Sequence, residues 1–305
     1  IFHLFASSTA RVYPAHSMKV HSIHTGYFKL DGGAMFGVVP KSLWSKPNPA
    51  DENNLCNWAM RCLLVEAGDR LVLVDNGIGD KQDEKFFSHY YLHGDATLTK
   101  SLTKLGYSEK DITDVFLTHL HFDHCGGSIE HKDGKFIPAF PNALYWSNAK
   151  HWEWAIHPND REKASFLKEN ILPIEQSGQL QFIDVPEEEG MKNRLPSARF
   201  SENIDIRFVN GHTESMMLPQ IRYKNKTILY MADLLPFIYH MPAPYVMAYD
   251  MFPLTTMKEK KCMLEESHAN KYILFFEHDP EVECCTLKET EKGIRHDAIL
   301  GIDEL

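Results

Sequence analysis

Three histidines and one aspartate fall within six residues, His119 to His124, in the stretch Thr118-His119-Leu120-His121-Phe122-Asp123-His124-Cys125-Gly126-Gly127. Imidazole and carboxylate together suit zinc and similar divalent metals. Residues two apart in an extended segment point the same way, so His119 and His121 would face one centre. Asp123 and His124 follow where the chain turns and can face a second centre close by. One such cluster has too few donors for two ions. Three more candidates lie downstream: His212 in Asn210-Gly211-His212-Thr213, Asp233 in Met231-Ala232-Asp233, and His278 in Glu277-His278-Asp279.

Each group follows a strand-like run. Residues 112–117 precede the cluster, 204–209 precede His212, 227–230 precede Asp233 and 272–276 precede His278. Apolar, β-branched runs of this length read as buried strands. The candidates therefore cap the carboxyl ends of strands, where parallel-type sheets place their chemistry. Gly126 and Gly127 permit a tight backbone before the next element.

The order HxHxDH, then His, Asp and His, resembles the metallo-β-lactamase superfamily of dinuclear metallohydrolases. The resemblance runs from about residue 20 to about residue 287, with all seven ligand positions filled. It implies an α/β fold, the αββα sandwich, built from a duplicated ββα unit. It also implies two divalent metal ions, zinc first among them. His119, His121 and His212 would hold one ion, Asp123, His124 and His278 the other, and Asp233 would bridge. A single zinc lowers bound water to a pKa of about 7, so a bridging water would be the hydroxide nucleophile. Asp123 could relay a proton to the leaving group. A metal-binding or ligand-sensing module of this fold would be expected to lose a ligand, and none is lost here.

Several subclasses are disfavoured. Antibiotic-cleaving members usually lack the bridging carboxylate, oxygen-reducing di-iron members carry Glu where this chain has His121, and nuclease members tend to be basic. What remains is hydrolysis of esters, lactones, thioesters or phosphotriesters. The loop Gly33-Ala34-Met35-Phe36-Gly37 resembles the first substrate loop of the quorum-quenching N-acyl-homoserine lactonases of the AidC type. Met35, Phe36 and Trp44 are accordingly expected to line an apolar channel for an acyl chain. The segment Asp233-Leu234-Leu235-Pro236, with Tyr249-Asp250 and Pro253 beyond it, resembles both lactonases and the methyl parathion hydrolase group. Small lactonases often carry a tyrosine three residues after the bridging aspartate; here that position is Pro236, leaving Tyr239, His240 or Tyr245 to substitute. The expected function is opening of the lactone ring of N-acyl-homoserine lactones. The alternative is an organophosphorus phosphotriesterase or another ester or thioester hydrolase.

The 305 residues can bury a large core, and the formal charge of -10 argues against a phosphate-backbone partner. No run approaches the ~20 apolar residues a membrane span needs. The expected partner is a small acylated lactone or ester, with a homodimer left open and neither nucleic acid nor membrane involved. None of the six cysteines stands in a CxxC spacing, so reduced thiols and a cytoplasmic location are expected. Residues 1–17 contain no acidic residue and read as a leader or expression-derived segment ahead of Met18. Residues 18–305 read as one domain, with an insertion at about 148–195 that covers the site. Helices are expected at 97–106, 162–171 and 257–270, and a hairpin joins 61–65 to 71–74. Glu266, on the last helix, is expected to matter little.

Overall fold

The computed structural model describes residues 18–187 and 195–305. The expected leader at 1–17 and residues 188–194 of the expected covering insertion lie outside the described residues. The strands in chain order are β1 (Lys19–Asp31), β2 (Leu55–Ala67), β3 (Arg70–Val74), β4 (Asp114–Phe116), β5 (Ile129–Lys132), β6 (Lys135–Pro138), β7 (Leu144–Ser147) and β8 (Leu180–Phe182), then β9 (Ser197–Arg199), β10 (Ile204–Val209), β11 (Met216–Tyr223), β12 (Lys226–Tyr230), β13 (Ile273–Phe275), β14 (Cys284–Thr290) and β15 (Gly293–Leu300). The helices are α1 (Gly32–Phe36), α2 (Lys41–Trp44), α3 (Glu84–Ser88), α4 (Leu98–Lys104), α5 (Phe122–Cys125), α6 (Ala149–Ile156), α7 (Lys168–Gln176) and α8 (Pro253–Ala269). One sheet runs β1-β2-β3-β4-β7-β8 and the other β15-β14-β13-β12-β11-β10-β9, while β5 and β6 form a separate hairpin.

Alternation explains the layering. Leu63, Val65, Val72 and Val74 point into the core shared with Ile206, Phe208, Met217 and Leu229 of the second sheet. Cys62, Leu64, Leu71 and Leu73, one residue out of phase, point outward onto Leu102 of α4, Trp152 of α6 and Ile171 of α7. Side chains alternate across a strand, so a strand apolar on both phases must be covered on both faces. The result is the expected αββα sandwich. Arg61 also ties the two sheets together: its backbone N–H donates to the Glu277 carbonyl at 3.0 Å, and its buried guanidinium donates to the carbonyls of Phe276 and Val282. Two residues earlier, Ala59 N–H donates to the His278 carbonyl at 3.1 Å.

Three local expectations change. Residues 33–37, read as an open loop, lie in and beside α1, where Asp31 caps by accepting from Ala34 N–H at 2.8 Å. A Cβ on Gly32 would lie 2.4 Å from the Trp44 ring, so this glycine is there for close packing. The helix expected at 162–171 starts at Lys168 instead, because the Asn159 side chain accepts from Arg161 and Glu162 N–H and holds that stretch in turns. Pro253 begins α8, earlier than expected, as a first-turn proline can. Much of the 148–195 segment builds the outer layer, since α6, α7 and β8 all pack there; residues near Glu162 and Phe166 face the histidines. Among the described residues no helix is long and apolar enough to cross a membrane, and all six cysteines are free thiols.

Candidate metal centre

The seven predicted donors meet in two groups. His119, His121, His212 and Asp233 form one, Asp123, His124 and His278 the other, with one ligand atom per residue within 4.8 Å of the rest in each. In the first, Nε2 of His119 and Nε2 of His212 lie 3.1 and 3.2 Å from Nδ1 of His121. In the second, the Nε2 atoms of His124 and His278 are 3.1 Å apart, with Asp123 Oδ2 at 3.8 and 3.7 Å from them. Asp233 faces both groups. Its Oδ2 lies 3.2 Å from His212 Nε2, and its Oδ1 lies 3.4 and 3.2 Å from Nε2 of His124 and His278.

The outer nitrogens fix the protonation of the inner ones. Glu162 Oε1 accepts from His121 Nε2 at 2.9 Å, and Asp250 Oδ1 accepts from His212 Nδ1 at 2.9 Å. Thr118 gives its hydroxyl proton to Asp75 Oδ2 at 2.6 Å, so its oxygen accepts from His119 Nδ1 at 3.1 Å. The Ala59 carbonyl accepts from His278 Nδ1 at 2.8 Å. His124 Nδ1 donates to Asp75 Oδ2 at 3.1 Å, with Glu277 Oε2 3.0 Å away. Each imidazole therefore carries its proton on the outside, and the inner nitrogens turn lone pairs on one another. That arrangement repels unless a cation stands between them. Tetrahedral zinc, with bonds of about 2.0–2.1 Å, holds its nitrogens about 3.3 Å apart. The donor sets fit divalent cations.

Charge and backbone support the same geometry. Burial disfavours ionised Asp233, but positive charge taken up at the inner nitrogens of His124, His278 and His212 outweighs it and holds its pKa well below the ordinary carboxylate range. Burial also opposes charge on Glu162, yet the hydrogen bond from His121 holds that carboxyl at about 2. Burial raises the Glu277 carboxyl, helped by Asp75. Asp75 and Ala232 sit at φ 54° and 39° beside the ligands; such non-glycine conformations cost free energy and persist only when the surroundings fix them. Gly126 and Gly127 prove to be needed for close approach, since a Cβ on either would lie 2.1 Å from Ile78 O or 2.3 Å from Asn76 O. His151, at the first turn of α6, accepts from Leu120 N–H at 2.9 Å and donates to the Glu214 carbonyl at 2.6 Å. It thereby pins the residue between His119 and His121, and burial pushes its pKa down to about 4.

The pocket residues fall differently. Met35, Phe36 and Trp44 are 1%, 0% and 1% exposed, so they are core and line no channel. Phe36 is stacked between Trp44 at 5.3 Å and His240 at 4.7 Å. His240 donates from Nε2 to the Met35 carbonyl at 2.8 Å, and burial holds its pKa at about 3; it is a neutral packing residue, not an acid or base. Tyr239 packs on Phe237 and His296, and no contact joins it to the seven donors among the described residues. Sequence reasoning gave no role to His151, Glu162 or Asp75, and saw Glu277 and Asp250 only as parts of motifs. Glu277 and Asp250 had a signal in adjacency, to His278 and to Tyr249. Glu162 stands 41 residues from His121 and had none.

The metallo-beta-lactamase superfamily profile matches residues 61–268, more than half of the chain. The chain belongs to that superfamily. A Mycobacterium tuberculosis protein named as a probable metallo-hydrolase is 32% identical over 154 residues, 44% of this chain and 46% of that one. An N-acyl homoserine lactonase of Bacillus thuringiensis is 27% identical over 129 residues, 39% of this chain and 46% of that one. The chain thus spans about half the length of the curated relatives it matches. Among solved structures, a probable metal-dependent hydrolase from Staphylococcus aureus superposes with TM-score 0.82 at 27% identity, over 94% of this chain and 98% of that one. AidC, a dizinc quorum-quenching lactonase solved with a product, shares the fold at TM-score 0.74 and 21% identity, over 95% and 97% of the two chains.

Proposed function

We propose that this chain is a hydrolase dependent on two divalent ions, zinc by preference, that opens the lactone ring of N-acyl-homoserine lactones. The observation that carries the reading is Asp233, whose two oxygens face two separate donor groups. Relatives named as N-acyl homoserine lactonases support the substrate class. Two ions held here would supply Lewis acidity and a hydroxide nucleophile at neutral pH. The chain's own residues do the rest. Asp233 sets the spacing of the two groups. Glu162, Asp250, Thr118, Asp75 and the Ala59 carbonyl hold the imidazoles in one tautomer and orientation. Asp123 is the most exposed of the seven at 9%, so substrate reaches it. As the acyl carbon–ring oxygen bond breaks, its carboxylate is placed to pass a proton to the leaving oxygen.

A phosphotriester with an aryl leaving group is the second reading. It is favoured by the aromatic wall beside Asp123, where Phe122 meets Phe86 at 5.4 Å and Tyr90 at 4.7 Å. The test compares a long-chain acyl-homoserine lactone, an aryl phosphotriester and a glutathione thioester on one zinc-loaded preparation. The lactone should show the highest kcat/KM. A tenfold advantage for the phosphotriester, about 1.4 kcal/mol in transition-state binding, would transfer the reading to it. Because Met35, Phe36 and Trp44 are core, kcat/KM should vary little with acyl-chain length.

A further inference from the structure

We propose that Tyr90 and Tyr249 are the hydroxyl donors that hold the substrate's oxygen atoms beside Asp123, the role left open by Pro236. The inference rests on the lactonase reading above. Tyr90 packs against the donor stretch itself, and Tyr249 lies in the segment that braces His212. The Tyr90 ring lies 4.7 Å from Phe122, the residue between His121 and Asp123. Tyr249 precedes Asp250, which holds His212, and the next two residues, Met251 and Phe252, donate from their N–H groups to the carbonyls of His212 and Gly211 at 3.0 and 2.8 Å.

Both backbones are fixed while both hydroxyls are free. Tyr90 N–H donates to the Phe87 carbonyl at 3.0 Å, and its carbonyl accepts from Lys29 N–H at 2.7 Å. Ahead of Tyr249, Ala248 N–H donates to the Ala34 carbonyl at 2.8 Å, and the Arg161 guanidinium donates to the Ala248 carbonyl. Neither phenol oxygen makes a hydrogen bond among the described residues. Tyr90 is partly exposed and Tyr249 is 38% exposed, so both can meet a ligand. Burial and then the Asp123 charge raise the Tyr90 phenol to about 12; burial, the Tyr90 phenol, Asp31 and Asp123 raise that of Tyr249. Each therefore keeps its proton and donates. A fixed donor with no internal partner costs little to reorganise when substrate arrives. By contrast, the residues first expected to fill this role are tied to other contacts or packed as core.

In ring opening, water oxygen bonds to the acyl carbon, the bond from that carbon to the ring oxygen breaks, and the ring oxygen takes up a proton. The tyrosines transfer no proton in this scheme. They hold oxygen atoms of the lactone and its amide in register with Asp123.

The experiment measures kcat and KM of zinc-loaded wild type, Tyr90→Phe and Tyr249→Phe on an acyl-homoserine lactone and on p-nitrophenyl acetate, with metal content and Tm recorded. Each variant should lose about tenfold or more in kcat/KM on the lactone. The loss on the aryl ester, which has no amide and a good leaving group, should be several-fold smaller, with ions and Tm unchanged. Wild-type lactone kinetics in both variants, or equal losses on the two substrates, would overturn the assignment and leave the lactonase reading standing. A wild-type protein that opens no lactone would overturn both.

Discussion

In the group around His121, separate side chains brace the three imidazoles: Thr118 behind His119, Glu162 behind His121 and Asp250 behind His212. In the group around His124, one nitrogen is shared by two fully buried carboxylates, Asp75 and Glu277, and the other imidazole leans on a backbone carbonyl. The first group is held by parts that can be removed one at a time. The second places two buried carboxyls, one with its pKa raised by burial, behind a single imidazole and relies on main chain that no substitution deletes. Each group should therefore answer to its own braces, and two ions should bind in separable steps.

The largest effect should come from erasing the difference altogether. Asp233→Ala removes the carboxylate that faces both groups, so elemental analysis should fall from close to two ions per chain and turnover should be largely abolished. Two ions retained by that variant would break the bridging assignment. Next in size, Glu162→Ala should weaken only the first group. Competition with a graded chelator should show one of two binding steps weakened about 10–100-fold, while Glu277→Gln should move the other step. Movement of both steps by either variant would mean that the groups are not separable.

A smaller effect should appear with pH. His151 titrates near 4 in the fold and near 6.5 when exposed. Between those values the unfolded chain binds the extra proton, so this residue's contribution is full above 6.5 and is lost as pH falls towards 4. Metal-free protein should lose about 2 kcal/mol from this source between pH 7 and pH 5, read by urea unfolding. His151→Gln, less stable at pH 7, should lose less on the same acidification. The smallest effect belongs to Glu153, 71% exposed in a pair with His157, whose replacement by Ala should stay within about 0.5 kcal/mol and leave both binding steps in place. Glu266 cannot serve as that control, because it pairs with the buried Arg207.

Where a ligand ends a strand, the sequence is readable. The bounds of β10 and β11 coincide with their apolar runs, and His212 and Asp233 fall just past strand ends, since apolar alternation and a sudden polar residue are both local signals. Residues that act through packing leave no such trace. Glu162 sits in a charged stretch that reads as helix surface, and only the fold turns it towards His121. Met35 and Phe36 were misread because adjacent glycines suggest an open loop, whereas Gly32 is small to admit the Trp44 ring. His240 was misread because a histidine near a ligand looks chemical; the Met35 carbonyl it serves is 205 residues away.

The seam between β2 and residues 277 and 278 sets an order in time. A chain emerging from its N-terminus holds every donor of the first group once Asp233 is out. The second waits for His278, which takes its place only when Ala59 and Arg61 hydrogen-bond across to that segment. Contacts of such long sequence separation form late in folding. On the two-ion reading, the first group's donors would be complete before the second's, and filling the second would go with the closure of the chain on itself.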